Sequence, residues 1–325
     1  MTTYNQDPNF SIVMPGGCNA KCAFCFNHGK QKAENCSNID FIIGLWEQLK
    51  ALPKQFYQIS ITGNEPMMSS LIGDVMSVCK RMKLRYPNIL LTTNGTNLLK
   101  DPQMVIDGVH HINVSRHHYD EAENERIFGG AYNVTDKELA EIVDVYSRNG
   151  VDVSLNCVIN DDTTEEFINA YIDFAKRMGV LAVRFRKENG SIEPTPVERK
   201  FGEKYPILWH GTCPVCRTDL RVIRGQKVYW KSSVLEPSDT ITDKVFELVY
   251  DTDGKVYLDW NRQKPLDKPI EAFTSPNDFI VSLLGKGVFN ATAPISQGSC
   301  GVPSCGGHNS CGGHTSCGGY SNSRC

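Results

Sequence analysis

The sequence has no run of about twenty apolar residues, so it is not expected to form a membrane-spanning helix. Its opening residues, MTTYNQDPNF, lack a basic patch followed by an apolar core and do not read as a secretory signal. Charge of one sign is also missing: 34 Lys and Arg stand against 37 Asp and Glu, a net charge of −3. With no broad basic stretch, recognition helix or RNA-binding module, a nucleic-acid substrate ranks low, although a local basic patch is compatible with this balance. These absences point to a cytoplasmic chain in a reducing compartment. What the sequence has in abundance is cysteine, with 13 residues. In such a compartment they read as ligands and reactive thiols rather than as a disulfide framework.

The cysteines fall into three tight groups: Cys18, Cys22 and Cys25; Cys213 and Cys216; and five in the last 26 residues. Cys79 and Cys157 lie in apolar-periodic or strand-like segments and read as small buried hydrophobes. Cys36 sits between a polar loop and a helix start. The length of 325 residues suits one large domain with an appendage, or two domains.

Strand-like and helix-like segments alternate from residue 10 to about 186. Strands are expected at 10–15, 57–62, 88–95, 111–116, 151–159 and 181–186. Helices are expected at 37–53, 71–87, 135–150 and 163–179, with capping boxes at Ser37/Asp40 and Thr135/Glu138, and Thr163/Glu166 opening the last. Such alternation predicts an α/β fold with a parallel sheet and right-handed crossovers. Periodicity alone fits a six-stranded partial barrel or an open doubly wound sheet. After residue 190 the rhythm changes to two hairpins, 219–230 across Arg-Gly and 246–260 across Asp-Gly, and a last helix at 275–287. Residues 298–325 are rich in Gly, Ser and Cys and carry too few apolar residues to build a core. Three regions follow: 1–190, 191–297 and 298–325.

Cys18, Cys22 and Cys25 are separated by three and two residues on a loop after the first strand. Three thiolates at this spacing can hold three irons of a [4Fe–4S] cluster and leave the fourth open to a small molecule. From spacing alone, a zinc site completed by His28 is the alternative, as in a non-enzymatic structural protein.

CNAKCAFC resembles the CxxxCxxC signature of the radical S-adenosylmethionine (SAM) enzymes, with the usual aromatic residue, Phe24, before the third cysteine. ITGNEP, 61–66, resembles that family's GGEP motif, with Asn64 in place of the second glycine. The resemblance spans roughly 10–190 and implies a partial (β/α)6 barrel. It implies a [4Fe–4S] cluster on Cys18, Cys22 and Cys25, and SAM as cofactor. Reductive cleavage of SAM to a 5′-deoxyadenosyl radical, followed by hydrogen abstraction from a substrate, is the implied reaction. Carried over by position, Gly63, Asn64 and Glu65 would meet the methionyl amino group. TTNG, 92–95, would line the cleft, and Ser115 and Arg116 would approach the ribose and carboxylate. Asn156 resembles a residue that binds ribose or carboxylate. Arg184 and Arg186 share one strand face, where one would meet a carboxylate. His117 and His118 face substrate or solvent. An electron donor such as a flavodoxin or ferredoxin is implied as partner.

Cys213 and Cys216, ahead of a hairpin, resemble the auxiliary-cluster regions of some relatives, but the cysteine that commonly follows the hairpin is absent from VYWKS. The pair reads in three ways: ligands of a second iron–sulfur cluster completed by distant cysteines, a hydrogen-atom donor, or a zinc or structural pair. In the tail, Cys305, Cys311 and Cys317 recur every six residues, and His308 and His314 share that period. This tail reads as a metal chelator, a flexible appendage, or a mimic of a peptide substrate. Substrates of two kinds stay open, a peptide or protein and a small molecule.

Overall fold

A computed structural model describes residues 9–25, 35–51, 58–82, 88–132, 134–188, 193–210, 218–231 and 247–257, together with 260, 262 and 265. Strand and helix alternate as the periodicity predicts. β1 (Asn9–Val13) leads to α1 (Asn38–Ala51), β2 (Gln58–Thr62) to α2 (Ile72–Lys80), and β3 (Ile89–Thr93) to α3 (Pro102–Gly108). β4 (His111–Ser115) is followed by α4 (Glu121–Phe128) and α5 (Asp136–Arg148), then β5 (Asp152–Ile159), α6 (Glu165–Met178) and β6 (Ala182–Lys187). α7 (Pro196–Lys204) and β7 (Trp209–His210) precede a hairpin of β8 (Thr218–Ile223) and β9 (Gln226–Lys231). β10 (Glu247–Tyr250) and β11 (Val256–Tyr257) form a second hairpin.

All eleven strands belong to one sheet, in the order β11-β10-β1-β2-β3-β4-β5-β6-β9-β8-β7. The six strands β1 to β6 are parallel and in sequence order, with helices between them, as in a partial barrel. The two hairpins join this sheet at its two sides. β9 runs parallel to β6 and β10 runs parallel to β1, so eight strands are parallel in all. The switch from helix-linked strands to hairpins thus marks the edges of the sheet, where antiparallel β7, β8 and β11 close the ladder.

Alternation along each strand separates a greasy outer face from a polar inner one. Along β5, Val153, Leu155, Cys157 and Ile159 enter the core against the helices. Ser154 and Asn156 take the opposite face, and Asn156 is in register with Ser115 on β4. Ser11, Ser60 and Asn113 are likewise buried polar residues facing inward. Cys79 and Cys157 are fully buried, as their settings predict.

Most helix ends follow their sequence signals. Ser37 Oγ accepts from the Asp40 amide, and Thr135 and Glu138 make a reciprocal capping box. α6 is the exception: Thr164, not Thr163, caps it by accepting from the Phe167 amide. Thr163 Oγ1 accepts from the Asn160 amide in the preceding turn instead. α2 runs to Lys80, within the longer helix the sequence suggests. Arg224 and Gly225, both at positive φ, make the tight turn of the first hairpin. Lys176 Nζ donates to the Arg224 carbonyl and so ties that turn to α6. α3 is too short, and α4 and α7 carry too few apolar residues, to stand out by periodicity. α4 is anchored by Asn124 and Phe128, and α7 by Val197 and Phe201. The expected helix at 275–287 lies outside the described residues. Among those described, no helix is long and apolar enough to cross a membrane.

β10 is locked to β1 and α1 by Tyr250. Its ring packs between Phe10 and Phe41, and its hydroxyl donates to the Phe41 carbonyl at 2.8 Å. A Cβ on Gly44 would lie 2.6 Å from that hydroxyl, and the fully buried ring has no room to retreat. Gly44→Ala is expected to break the hydrogen bond and lower stability by about 1–3 kcal/mol. Chemical denaturation checks this, and unchanged stability would contradict the role given to Tyr250.

Candidate active site

The carboxyl ends of β1 to β6 open onto one cleft, and Cys18, Cys22 and Cys25 all line it. Their loop follows β1 through Gly16, whose φ of 125° favours glycine. Cys25 and Cys22 close a turn, the Cys25 amide donating to the Cys22 carbonyl. Two neighbouring loops hold this segment in place. Asn19 Nδ2 donates to Thr96 Oγ1 at 2.9 Å, and Asn94 Nδ2 donates to Asn19 Oδ1 at 2.8 Å. The Lys21 amide donates to the Phe128 carbonyl, and the Ala131 amide to the Asn19 carbonyl.

The three cysteines are free thiols. Burial pushes Cys18 up and lifts Cys22 to about 11, and mutual repulsion among the thiolates adds to both. A bound cation reverses that balance, because it stabilises thiolates. Among the described residues, no three His, Cys, Asp or Glu side chains converge tightly enough to hold a metal ion. As a donor set, three free thiols on one cleft-lining loop fit three irons of a cluster.

The GNEP turn packs directly beneath that loop. Gly63 has φ 80°, and a Cβ there would lie 2.6 Å from Val13 Cγ1. Asn64 has φ 47°, a left-handed conformation that asparagine tolerates better than most residues. Its Nδ2 donates to the Met14 carbonyl at 2.8 Å, which a glycine could not do. The Glu65 amide donates to the Gly17 carbonyl. Glu65 is almost fully buried and caps the 3₁₀ turn Pro66–Met68. Its Oε1 accepts from the Met67 amide at 3.0 Å and from Thr93 Oγ1 at 2.5 Å; its Oε2 accepts from the Asn94 amide at 2.7 Å. Burial lifts its pKa from the ordinary 4.5 to about 7, although all three hydrogen bonds favour the ionised form.

Ser115 and Asn156 meet in register at the ends of β4 and β5, and both line the cleft. Arg116 does not. Its guanidinium lies inside the protein, donating to the His118 carbonyl and to Asp136 at 2.6 Å, and it stacks over Phe174. Arg184 also stays out of the cleft lining and stacks over Tyr229 at 4.6 Å, whereas Arg186 lines the cleft. His117 lines it too. Its Nδ1 accepts from the Val158 amide, and its ring packs edge-on against Phe24 at 4.7 Å. Burial, and then Arg116, lower its pKa to about 3, so it stays neutral with its proton on Nε2. Cys213, Cys216, Cys305, Cys311 and Cys317 lie outside the described residues.

The positioning residues are the ones that sequence reasoning missed. The sequence marks TTNG as a cleft segment but not the bonds of Thr93 and Asn94 to Glu65 and Asn19. Asn124 Oδ1 accepts from the amides of His117 and His118 and shapes the loop after β4. Its signal was an amide in the middle of a weakly amphipathic helix, too common a feature to single out.

The sequence profile of the radical SAM superfamily matches residues 12–175, just over half of the chain. The chain belongs to the radical SAM superfamily. It is an enzyme of that class, whose general chemistry is the cleavage of SAM to a 5′-deoxyadenosyl radical. Among solved structures, the chain is similar in fold to SuiB of Streptococcus suis bound to S-adenosylmethionine. Identity is 12% over 87% of this chain and 68% of that one, with a TM-score of 0.59. It is similar also to anSMEcpe with bound AdoMet, at 14% identity over 84% of this chain and 80% of that one, with a TM-score of 0.55. A third structure, anSMEcpe with bound AdoMet and Cp18Cys peptide, gives 15% identity over the same shares and a TM-score of 0.52. At these identities the likeness is one of fold. No curated protein sequence matches the chain.

Two outcomes are expected of this radical SAM site. A Cβ on Gly130, which has φ 66°, would lie 2.4 Å from the Asn19 carbonyl oxygen. Gly130→Ala should therefore displace the cysteine loop, cost about 1–3 kcal/mol, and lower the iron retained after anaerobic reconstitution. Iron content equal to wild type would contradict the docking described. The second concerns Glu65 in the metal-free protein. Its folded pKa is raised, so the stability it contributes is full below 4.5 and is lost as pH rises through about 7. Denaturation of wild type and Glu65→Gln at about pH 5 and about pH 8 should show that loss in the wild type alone. An identical pH slope in the two proteins would contradict it.

Proposed function

We propose that Cys18, Cys22 and Cys25 bind a [4Fe–4S] cluster, that SAM binds at its open iron, and that the substrate is a peptide or protein. The observation that carries this reading is the meeting of three free thiols and the Glu65-capped GNEP turn in one cleft. When bound, the cluster supplies the electron that splits SAM into methionine and the 5′-deoxyadenosyl radical.

The chain's own residues position and shelter this chemistry. Glu65 would hold the methionyl ammonium through Oε2, which accepts one hydrogen bond in the protein against two on Oε1. The ammonium then offsets the burial that raises its pKa. Backbone polar groups of Gly63 and Asn64 complete that contact. Ser115 and Asn156 offer neutral hydrogen bonds to ribose or carboxylate from adjacent strand ends. His117 keeps Nε2–H as a fixed donor at the cleft wall and braces Phe24, within the cysteine loop. Arg116 acts at one remove: it braces the loop after β4 through His118 and Asp136. Arg184 is held on the inner face of β6 by Tyr229.

The peptide reading draws on the solved structure whose chain holds a peptide beside AdoMet, and on the further cysteines of this sequence. Cys213 and Cys216 bind a second cluster in this reading. A flavodoxin or ferredoxin of the cytoplasm supplies the electron.

Anaerobically reconstituted protein, reduced in the presence of SAM, should form 5′-deoxyadenosine, and Cys18→Ala should abolish it. Retention of full cleavage by the variant would sink the assignment. Iron analysis addresses the second cluster: about eight irons per chain are expected, and about four in the Cys213→Ala/Cys216→Ala variant. Four in the unaltered protein would remove it.

A further inference from the structure

The polar inner face of the barrel changes character at its β6–β9 side. Arg184 pairs in register with Tyr229, and Arg186 with Lys231. The guanidinium of Arg184 lies over the Tyr229 ring, so those two side chains share a face. Alternation puts Arg186 and Lys231 on that same face, two residues further along, and Arg186 lines the cleft. Lys227 begins the row on β9. At this lower end an acid is present: Asp152, on β5, lies in the field of Lys227 and Arg184. At the cleft end the balance is different. Arg186 and Lys187 line the cleft with Glu188 beside them, while the cleft's other acid, Glu65, stands at the end of β2, and Lys231 adds a further cation beside Arg186.

Neighbouring strands lie about 4.8 Å apart, and like charges directly opposite each other destabilise a sheet. Arg186 and Lys231 form such a pair next to a cleft. Both side chains make other contacts within the protein; what matters is their like sign and shared face. We propose that Arg186 and Lys231 form a binding site for a carboxylate of the substrate, an acidic side chain or a terminal carboxylate. Two oxygens on one planar group can answer the guanidinium and the ammonium together. Arg186 lines the cleft from β6, and Lys231 stands on β9, one strand beyond the six whose ends frame it, so the pair reaches past the cofactor to the substrate. This inference rests on the radical SAM reading for what the cleft holds.

The test uses holoenzyme loaded with cluster and SAM, so that the cofactor's own carboxylate is already placed. The probe is 4-bromobenzoate, with 4-bromobenzamide as its neutral counterpart. Calorimetry should show the carboxylate binding at least about tenfold more tightly than the amide, with a similar loss in Arg186→Met and in Lys231→Met. The charge-preserving Arg186→Lys and Lys231→Arg should retain binding, as should Lys227→Met at the lower end of the face. Melting curves identify any variant that fails to fold, and anomalous scattering from bromine in wild-type crystals then decides alone, with bromine expected beside Arg186 and Lys231. Equal affinity for acid and amide, bromine elsewhere, or folded Arg186→Met and Lys231→Met that both bind as wild type would overturn the proposal. So would binding seen only without SAM and displaced by it, which would assign the site to the cofactor. Formation of 5′-deoxyadenosine is measured on the same preparation, so failure of the radical SAM reading is seen separately from loss of carboxylate selectivity.

Discussion

A carboxylate buried among apolar neighbours is costly unless its oxygens are met by donors. Glu65 meets that requirement with three hydrogen bonds drawn from two loops: the Met67 amide in its own turn, and the Thr93 hydroxyl and Asn94 amide at the end of β3. Its backbone amide reaches a third segment, the cysteine loop, at Gly17. One residue thus fixes the ends of three adjacent strands relative to one another. Asn94 passes the restraint on, because its side chain holds Asn19 between Cys18 and Cys22. The thiols are placed by this chain of contacts together with the packing of Ala20 and Cys22 on the core and of Phe24 on His117.

The same fold must hold a polar interior open. Small and neutral residues, Ser11, Ser60, Asn113 and Ser154, line the inner face of the strands where they are buried. The cations of the inner face gather on the β6–β9 side, while Glu247 stands on the β10 side and accepts from Ser11 Oγ. This gradient separates the chemistry of the cleft into a cysteine-bearing side and a cationic side. It also gives the hairpins a function beyond closing the sheet, because β9 supplies half of the cationic face.

The parallel core was legible in the sequence because its strands are bounded by turn residues and its longer helices carry clear caps. The Thr135/Glu138 box and the glycine ending α6 are local signals, and local contacts realise them. The three cysteines and the GNEP turn were legible for a similar reason: their chemistry depends on short spacings. Membership of β9 and β10 in the main sheet was not, because pairing between Asn9 and Glu247 depends on distant partners that no periodicity encodes. Side-chain direction after a strand end was also hidden. Ser115 lines the cleft while Arg116, its neighbour, turns inward to Asp136, twenty residues on. The N-cap of α6 slipped by one residue because two threonines stand side by side and either can cap.

The central claim is that three cysteines hold a cluster and leave one iron open to SAM. Electron–nuclear double resonance on the reduced protein tests it most directly, with SAM carrying ¹⁵N in the amino group and ¹⁷O in the carboxylate. The account predicts a reduced cluster signal with couplings from both labels, lost when Cys18, Cys22 or Cys25 is replaced by alanine. A colourless protein that gives no cluster signal and binds zinc through these cysteines would contradict it.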